Sequence, residues 1–161
     1  FSRVLFRSGT PSPDVHVDQK KVCAVAHSHD GVGWFNHSVV LGPSAATDRE
    51  DVACAAPDVW VDGAGVYRMV FSAIGTRWGA YSLAQAVSTD GYTWTRGDEA
   101  ADADLVLAPD PRAGKWDHQM VEYASVWRAA DARGGSMRLG LFYAGNGYGR
   151  GGIGYTESVT R

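Results

Sequence analysis

The sequence has few of the features that define several common protein classes. It contains only two cysteines, Cys23 and Cys54, in 161 residues. Both lie in strand-like apolar segments without an accompanying secretion signal, so we expect buried free thiols rather than a disulfide. No spacing of Cys and His residues matches a zinc site, and no apolar run approaches the ~20 residues of a membrane-spanning helix.

An excess of charge of one sign is also lacking. Fifteen Lys and Arg residues against 18 Asp and Glu residues give a net charge of −3. A nearly balanced surface of this kind provides no general attraction for nucleic acid or for an anionic membrane. Neither is therefore expected as a partner.

The start of the chain shows neither a targeting segment nor an initiating methionine. Its first eight residues contain no long apolar stretch and no small-residue cleavage site, so they do not have the pattern of a signal peptide. Cytoplasm is the default expectation for localisation. Because residue 1 is Phe, we expect the true N-terminus to be missing from the sequence.

The sequence is rich in glycine and aromatic residues, with 20 Gly, six Trp and seven Tyr. Chains of this composition with many short hydrophobic runs are typically all-β. The rings suit two uses that composition does not separate. They stack on the C–H faces of sugars, and they also anchor cores and turns.

Two copies of one motif occur 60 positions apart, and residues 26–34 and 86–94 both read A-x-S-x-D-G-x-x-W. A strand-like segment precedes each copy and an apolar run follows it. This pattern predicts a hairpin whose Gly adopts positive φ and whose Trp packs the turn on the sheet. Asp30 and Asp90 are therefore predicted to be turn residues that accept hydrogen bonds from nearby amides.

A second repeat interleaves with the first. Residues 50–60 align without gaps on residues 117–127. Each copy leads through a glycine-containing turn, at 62–65 or 131–135, into a second predicted strand. A third strand is predicted to begin at Gly152 in the later copy.

Together the repeats define a unit of four strands in 60 to 70 residues, which is the organisation of a β-propeller blade. The predicted fold class is all-β, a partial propeller of about two and a half four-stranded blades. In this single domain, residues 1–47 are the outer half of a blade, residues 48–110 a complete blade, and residues 111–161 three strands of the next.

So small a number of blades conflicts with the way propellers are stabilised. A closed propeller has about 4–8 blades, and closure protects sheet faces and edges that an open piece would expose. Three arrangements resolve the conflict: the sequence belongs to a longer chain with further blades, a second copy completes the ring, or the piece stands alone. The break inside a repeat favours the longer chain.

These motifs resemble those of the five-bladed β-propeller glycosidases. The hairpin motif is combined with A-P-D-V-x-x-D-G-x-G-x-Y-x-M from Ala56 and with L-F-Y-A-G from Leu141. The combination is similar to the group of glycoside hydrolase families 43, 32, 68 and 130, and it covers residues 21–158. The W-M-N-D-P-N-G and R-D-P motifs of family 32 are absent. Six-bladed sialidase-like propellers are the nearest alternative, but their hairpin reads S-x-D-x-G-x-T-W, whereas Asp and Gly are adjacent here.

The resemblance implies that the first strand of each blade lines a central funnel and that catalytic carboxylates project from several of these strands. Glycosidic cleavage uses two carboxyl groups, one of which protonates the leaving oxygen. Asp51 opens one such strand. Glu122 replaces Ala55 of the other repeat in an apolar strand, where a carboxyl group is costly and its pKa is raised. Asp58 matches the acidic residue of the A-P-[DE] signature.

Each of these three catalytic candidates also has a structural interpretation. Asp51 suits a strand-entry cap or an ion pair with Arg49. Glu122 suits a hydrogen-bonded structural carboxylate or a solvent-facing residue, and Asp58 suits a brace within its blade.

Eight further residues are candidates for substrate binding. Two of them follow one another before an inner strand and are suited to orienting a sugar hydroxyl or a phosphate. The others lie in two equivalent loops that combine an Arg, an aromatic ring and glycines, which suits sugar or anion binding and equally an ordinary hairpin. The set is Asp117, His118, Arg77, Trp78, Tyr81, Asn146, Tyr148 and Arg150.

The sequence therefore predicts a glycoside hydrolase or related transferase that acts on a carbohydrate with paired carboxylates, without a metal or an organic cofactor. The alternatives are a non-catalytic carbohydrate-binding or scaffold propeller and an inactive fragment, because a propeller fold hosts many functions. No serine nucleophile is predicted, since no G-x-S-x-G elbow occurs.

Overall fold

A computed structural model of the chain describes residues 3–9, 21–97, 103–110, 112, 114–130 and 137–160. In these ranges the secondary structure consists of β-strands without a helix, which confirms the all-β prediction. No helix that could cross a membrane is present in the part of the chain described. The predicted turn at 131–135 lies outside the described residues.

The strands form three antiparallel sheets that follow one another along the chain. The first sheet has the order β1 (Arg3–Gly9), β2 (Val22–Ser28), β3 (Phe35–Leu41). The second has the order β4 (Ala53–Val61), β5 (Tyr67–Gly75), β6 (Ala80–Ser88), β7 (Thr95–Arg96), and β8 (Leu105–Leu107) also pairs with β6. The third contains β9 (Glu122–Ala130), β10 (Met137–Ala144) and β11 (Ile153–Thr160), with β10 in the middle.

The strands differ from the sequence expectation at two places. Strand β1 was not predicted, because Arg3–Gly9 carries no copy of either repeat. The first sheet therefore has one strand more than an outer half blade. In the second sheet the outermost layer is divided between two short strands, β7 and β8, which pair with successive parts of β6.

The two predicted Asp-Gly hairpins are confirmed. Asp30 Oδ1 accepts hydrogen bonds from the amides of Val32 and Gly33 at 2.8 and 2.9 Å, and Asp90 repeats this arrangement one sheet later. Gly91 adopts a φ of 78°, which a glycine takes without steric cost. The amide hydrogen bonds lower the pKa of Asp90 to about 2. Both aspartates are thus turn residues.

Successive sheets are joined by the same backbone hydrogen bond. The amide of Cys54, in β4, donates to the carbonyl of Lys21 at 2.9 Å. The amide of Val121, just before β9, donates to the carbonyl of Tyr81 at 3.1 Å. Both pairs occupy equivalent repeat positions, so the start of β4 lies against the start of β2, and the segment leading into β9 lies against the start of β6. This stacking is that of neighbouring propeller blades.

The core consists of two layers that share the second sheet. Successive side chains of a strand point to opposite faces, and in β5 Met69 and Phe71 face the first sheet while Val70 faces the third. The layer between the first two sheets also holds Cys23 and Cys54, which are buried free thiols as predicted. Burial raises the pKa of the Cys23 thiol well above its ordinary value.

Gly75, at the end of β5, lies against the main chain that leads into β4. A Cβ at this position would be 2.0 Å from the carbonyl carbon of Arg49 and 2.2 Å from the oxygens of Arg49 and Asp48. We expect Gly75→Ala to lower the free energy of unfolding by about 1–3 kcal/mol, because the backbone itself must move. Urea denaturation measures the change.

Gly63→Ala is the matched control for this substitution, since a Cβ there meets no atom within 4 Å. Equal stability losses for the two variants would contradict the close approach at Gly75.

Candidate functional site

Glu122, the first residue of β9, is a buried carboxyl group that forms no hydrogen bond with the described residues. Its side chain is 0% exposed, and neither carboxylate oxygen has a hydrogen-bond partner among the described residues. Burial is the larger effect and raises the pKa of Glu122 from 4.5 to about 7, although the nearby Lys21 ammonium acts in the opposite direction. A carboxyl group with this pKa is largely protonated below neutral pH.

The backbone beside Glu122 is irregular. Between the pairs Glu122–Ala144 and Ser125–Phe142, β9 contains one residue more than β10, which is a β-bulge. Tyr123 within the bulge has a φ of 53°, and its amide donates to Ser72 Oγ of the second sheet at 2.9 Å. The bulge therefore sets the direction in which the Glu122 side chain points away from β9.

Three tyrosines, one of which is the neighbouring residue Tyr123, form a cluster beside this position. In this tyrosine cluster, Tyr81, Tyr123 and Tyr148, the ring centroids lie 6.3–6.5 Å apart. The exposed fraction rises from 6% at Tyr81 to 45% at Tyr123 and 62% at Tyr148. The three rings thus differ in their exposure to solvent, and such ring faces can stack on a sugar.

Lys21 brings a cation to the same place from the first sheet. Its Nζ donates to Tyr81 Oη at 3.0 Å and lies 5.7 Å from the centre of that ring. The hydrogen bond with Tyr81 raises the pKa of Lys21. Burial and the Glu122 carboxylate raise the pKa of Tyr123. Side chains from all three sheets consequently meet around Glu122.

Asp51, the other principal catalytic candidate, holds a loop of its own sheet. Its Oδ1 accepts a hydrogen bond from the amide of Thr76 at 2.8 Å, and its Oδ2 accepts one from Thr76 Oγ1 at 2.9 Å. The same loop carries Arg77, which pairs with Asp48 at 2.8 Å and lies over the ring of Trp78 at 5.5 Å. These contacts fix the orientation of Asp51.

Asp58 joins the inner strands of two sheets. Its Oδ2 accepts a hydrogen bond from the amide of Val126, in β9, at 2.7 Å. Because buried or half-buried carboxylates of this kind are satisfied by main-chain donors, the contact matches the structural interpretation of Asp58 as a brace.

The remaining binding candidates form a third group, at the entry to the third sheet. Asn146 Oδ1 accepts hydrogen bonds from the amides of Gln119 and Met120, and its Nδ2 lies 2.9 Å from His118 Nδ1. Asp117 accepts a hydrogen bond from Tyr143 at 3.3 Å. Arg150 is exposed on the same loop. Of the eight candidates, Tyr81 and Tyr148 thus lie in the cluster near Glu122.

Three residues of the site were missed from the sequence. Lys21, Ser72 and Tyr123 all contact the surroundings of Glu122. For Lys21 a signal was present, because it occupies the repeat position of Tyr81, 60 residues earlier. Ser72 and Tyr123 interact across two sheets, and no spacing within one strand reveals such a contact.

A second group of buried charges lies in the interior. Arg49 Nη2 pairs with Asp104 at 2.5 Å and Arg96 Nε pairs with Glu50 at 2.9 Å. Burial, partly offset by Arg96, raises the pKa of Glu50. Each acid here has an arginine partner, which distinguishes the group from Glu122 and indicates a structural role.

A cavity of about 830 Å³ lies between the second and third sheets, toward the far ends of β4 and β9. Its charged side chains are engaged: Arg68 pairs with Asp62, Arg128 donates to the carbonyl of Val61, and Glu157 pairs with an arginine. None of the three catalytic candidates lines it. The chemistry of Glu122, rather than cavity volume, therefore defines the candidate site.

Comparison with known proteins gives relatives that are longer than this chain. No family model matches it. The uncharacterized protein Rv1502 of Mycobacterium tuberculosis is 38% identical over 133 residues, and a protein of a second strain of that organism gives the same values. The match covers 83% of this chain and 38% of the relative, so the chain spans about two fifths of the length of these proteins.

Solved structures show the same arrangement of sheets. An N-acetylgalactosamine deacetylase from F. plautii, in complex with blood group B trisaccharide, aligns with a TM-score of 0.73 at 18% identity over 98% of this chain and 46% of that one. Fructan 1-exohydrolase IIa from Cichorium intybus aligns with a TM-score of 0.65 at 11% identity over 96% and 29% of the two chains. The predicted fold group is confirmed: this chain has the fold of part of a glycosidase-like β-propeller.

Proposed function

We propose that the chain supplies a carbohydrate-active site in which Glu122 is the general acid for cleavage or transfer of a glycosidic bond. One observation carries the proposal: the carboxyl group is fully buried, yet neither oxygen has a partner among the described residues. Burying such a group without compensation costs free energy. A reacting group on a bound substrate would supply the missing partner.

The surroundings suit this chemistry. A general acid works best when its pKa lies near the working pH, and burial raises the pKa of Glu122 to about 7. The tyrosine cluster offers faces for sugar rings. Lys21 Nζ donates one hydrogen bond to Tyr81 Oη. An ammonium group has three N–H donors, so it can donate further hydrogen bonds to sugar hydroxyls. The deacetylase with the same fold was solved with a trisaccharide.

The second carboxylate of the mechanism is assigned to Asp51 in this proposal. Hydrogen bonds from Thr76 hold both of its oxygens in place, and a fixed orientation is what a nucleophile or base requires. Asp58 is the less favoured candidate, because the hydrogen bond that its Oδ2 accepts from the Val126 amide joins the second sheet to the third, which is a structural role.

A non-catalytic carbohydrate-binding role is the second candidate. The position of β4 that corresponds to Glu122 carries Ala55, so the repeat does not supply a second carboxyl group at the same level. The shared fold also includes an enzyme named as a deacetylase, so fold by itself does not define the bond that is broken.

The pH dependence of turnover tests the proposal. We expect kcat/KM for an aryl glycoside or oligosaccharide from a substrate panel to fall above about pH 7, because Glu122 then loses the proton that it donates. Product release is followed by chromatography from pH 4 to 9. Saturable sugar binding without turnover on any substrate would favour the binding role. Absence of both binding and turnover would contradict the carbohydrate site itself.

A further inference from the structure

The β-bulge next to Glu122 is held in a conformation that its sequence disfavours. Tyr123 has a φ of 53°, a left-handed conformation that costs a residue with a Cβ roughly 1 kcal/mol or more. Such conformations persist where surrounding contacts impose them, and they are frequent at functional sites. A specific contact should therefore hold Tyr123 in place.

That contact comes from the neighbouring sheet. Ser72, in β5, is fully buried and accepts the hydrogen bond of the Tyr123 amide at 2.9 Å. The main chain of Ser72 pairs with Ala55 within the second sheet. Because its hydroxyl binds the Tyr123 amide, the side chain reaches across the interface to the third sheet. Without this hydroxyl the Tyr123 amide would lose its acceptor.

The bulge itself belongs to the repeated unit. Strand β4 has the same extra residue between its pairs with β5, and Ala56 has a φ of 46°. In β4 the preceding residue is Ala55, whereas in β9 it is Glu122. Both strands thus contain the bulge, but only β9 has a carboxyl group next to it.

We infer that Ser72 is a positioning residue for Glu122: its hydroxyl anchors the Tyr123 amide and thereby holds the bulge that keeps the carboxyl group in its buried, unpaired position. The catalytic consequence rests on the proposed function, whereas the positioning itself does not. Ser72 lies in β5 of the second sheet. It does not touch the substrate in this proposal and affects it only through Glu122.

Ser72→Ala tests this inference, with Ser82→Ala as the matched control. Ser82 is also fully buried, but its hydroxyl has no hydrogen-bond partner among the described residues. The Glu122 carboxyl group is titrated by carbon-13 NMR, and kcat and KM are measured in parallel. Both variants keep Lys21, the charged residue that affects the pKa of Glu122, so a shift in the titration reports a change in the position of Glu122 or of the bulge beside it.

We expect Ser72→Ala to move the titration of Glu122 by about one pH unit or more toward the ordinary value of 4.5, since the released carboxyl group gains water. We expect kcat to fall by about tenfold with KM little changed, because misplacement of a catalytic group affects mainly the chemical step. Ser82→Ala should change neither quantity.

An unchanged Glu122 titration in folded Ser72→Ala would overturn the inference. A shifted titration in a protein without turnover would support the positioning role and contradict the catalytic proposal, so the two failures are distinguishable.

Discussion

Glu122→Gln is expected to lower turnover by about 10²–10⁴-fold while sugar affinity remains within a few-fold of the parent protein, because general acid catalysis contributes about this much to an enzyme. Gln keeps the size of Glu122 and can still form hydrogen bonds, but its amide protons are not acidic enough to be transferred to a leaving oxygen. Steady-state kinetics and calorimetric titration with the same sugar separate the two effects.

Protein stability provides an independent measurement on the same variant. The pKa of Glu122 is raised from 4.5 to about 7, so the folded state holds a proton that the unfolded state releases between these values. The contribution of Glu122 to stability is therefore greatest below about pH 4.5 and falls as pH rises toward 7. The difference between these two pKa values corresponds to a loss of about 3 kcal/mol in the free energy of unfolding, at about 1.4 kcal/mol per pKa unit.

Glu122→Gln should remove this loss, so that the variant is more stable than the parent at pH 8 and its stability changes less between pH 4.5 and 7. Glu157→Gln, at an exposed carboxylate paired with Arg138, serves as the control and should leave turnover unchanged. Lower stability of Glu122→Gln at pH 8 would show instead that the carboxylate is a structural, hydrogen-bonded group.

Asp104→Ala is expected to destabilise the protein by about 3–5 kcal/mol, because it removes one partner of a buried ion pair. Arg49 and Asp104 are 1% and 0% exposed and lie 2.5 Å apart. The substitution leaves the guanidinium group of Arg49 buried without this carboxylate. Chemical denaturation at pH 7 measures the loss.

Asp110→Ala provides a closely matched control. Asp110 and Arg112 also lie 2.5 Å apart, but the arginine is 73% exposed. Solvent-exposed pairs contribute about 0–1 kcal/mol, so burial is the principal difference between the two pairs. Similar losses in both variants would contradict the importance of burial at Arg49.

Much of the fold could be predicted because the repeat contains residues that form turns through hydrogen bonds to their near neighbours in the sequence. Ser28, Asp30 and Gly31 form a turn whose hydrogen bonds all lie within a few residues of one another, so spacing alone identifies it. The same holds for the copy around Asp90. Strand β1 was missed because neither repeat extends to it, and its pairing with β2 depends on residues that are distant in sequence.

The candidate site could be predicted only in part. Glu122 was identifiable because a carboxyl group interrupts an apolar strand at a position where the other repeat has Ala55. The contributions of Lys21 and Ser72 depend instead on how three sheets stack, and sequence spacing does not encode those distances. The roles of Asp51 and Glu122 as a catalytic pair stay a prediction.

The backbone bond that links each sheet to the next has a consequence for how specificity can change. At Lys21 and Tyr81 the main-chain carbonyl joins neighbouring sheets, while the two side chains meet each other beside the site. In each of these two residues the main chain thus supports the architecture, while the side chain faces the proposed site. On the proposed function, substitutions at these two positions would alter what is bound while the carbonyl continues to hold the blades together.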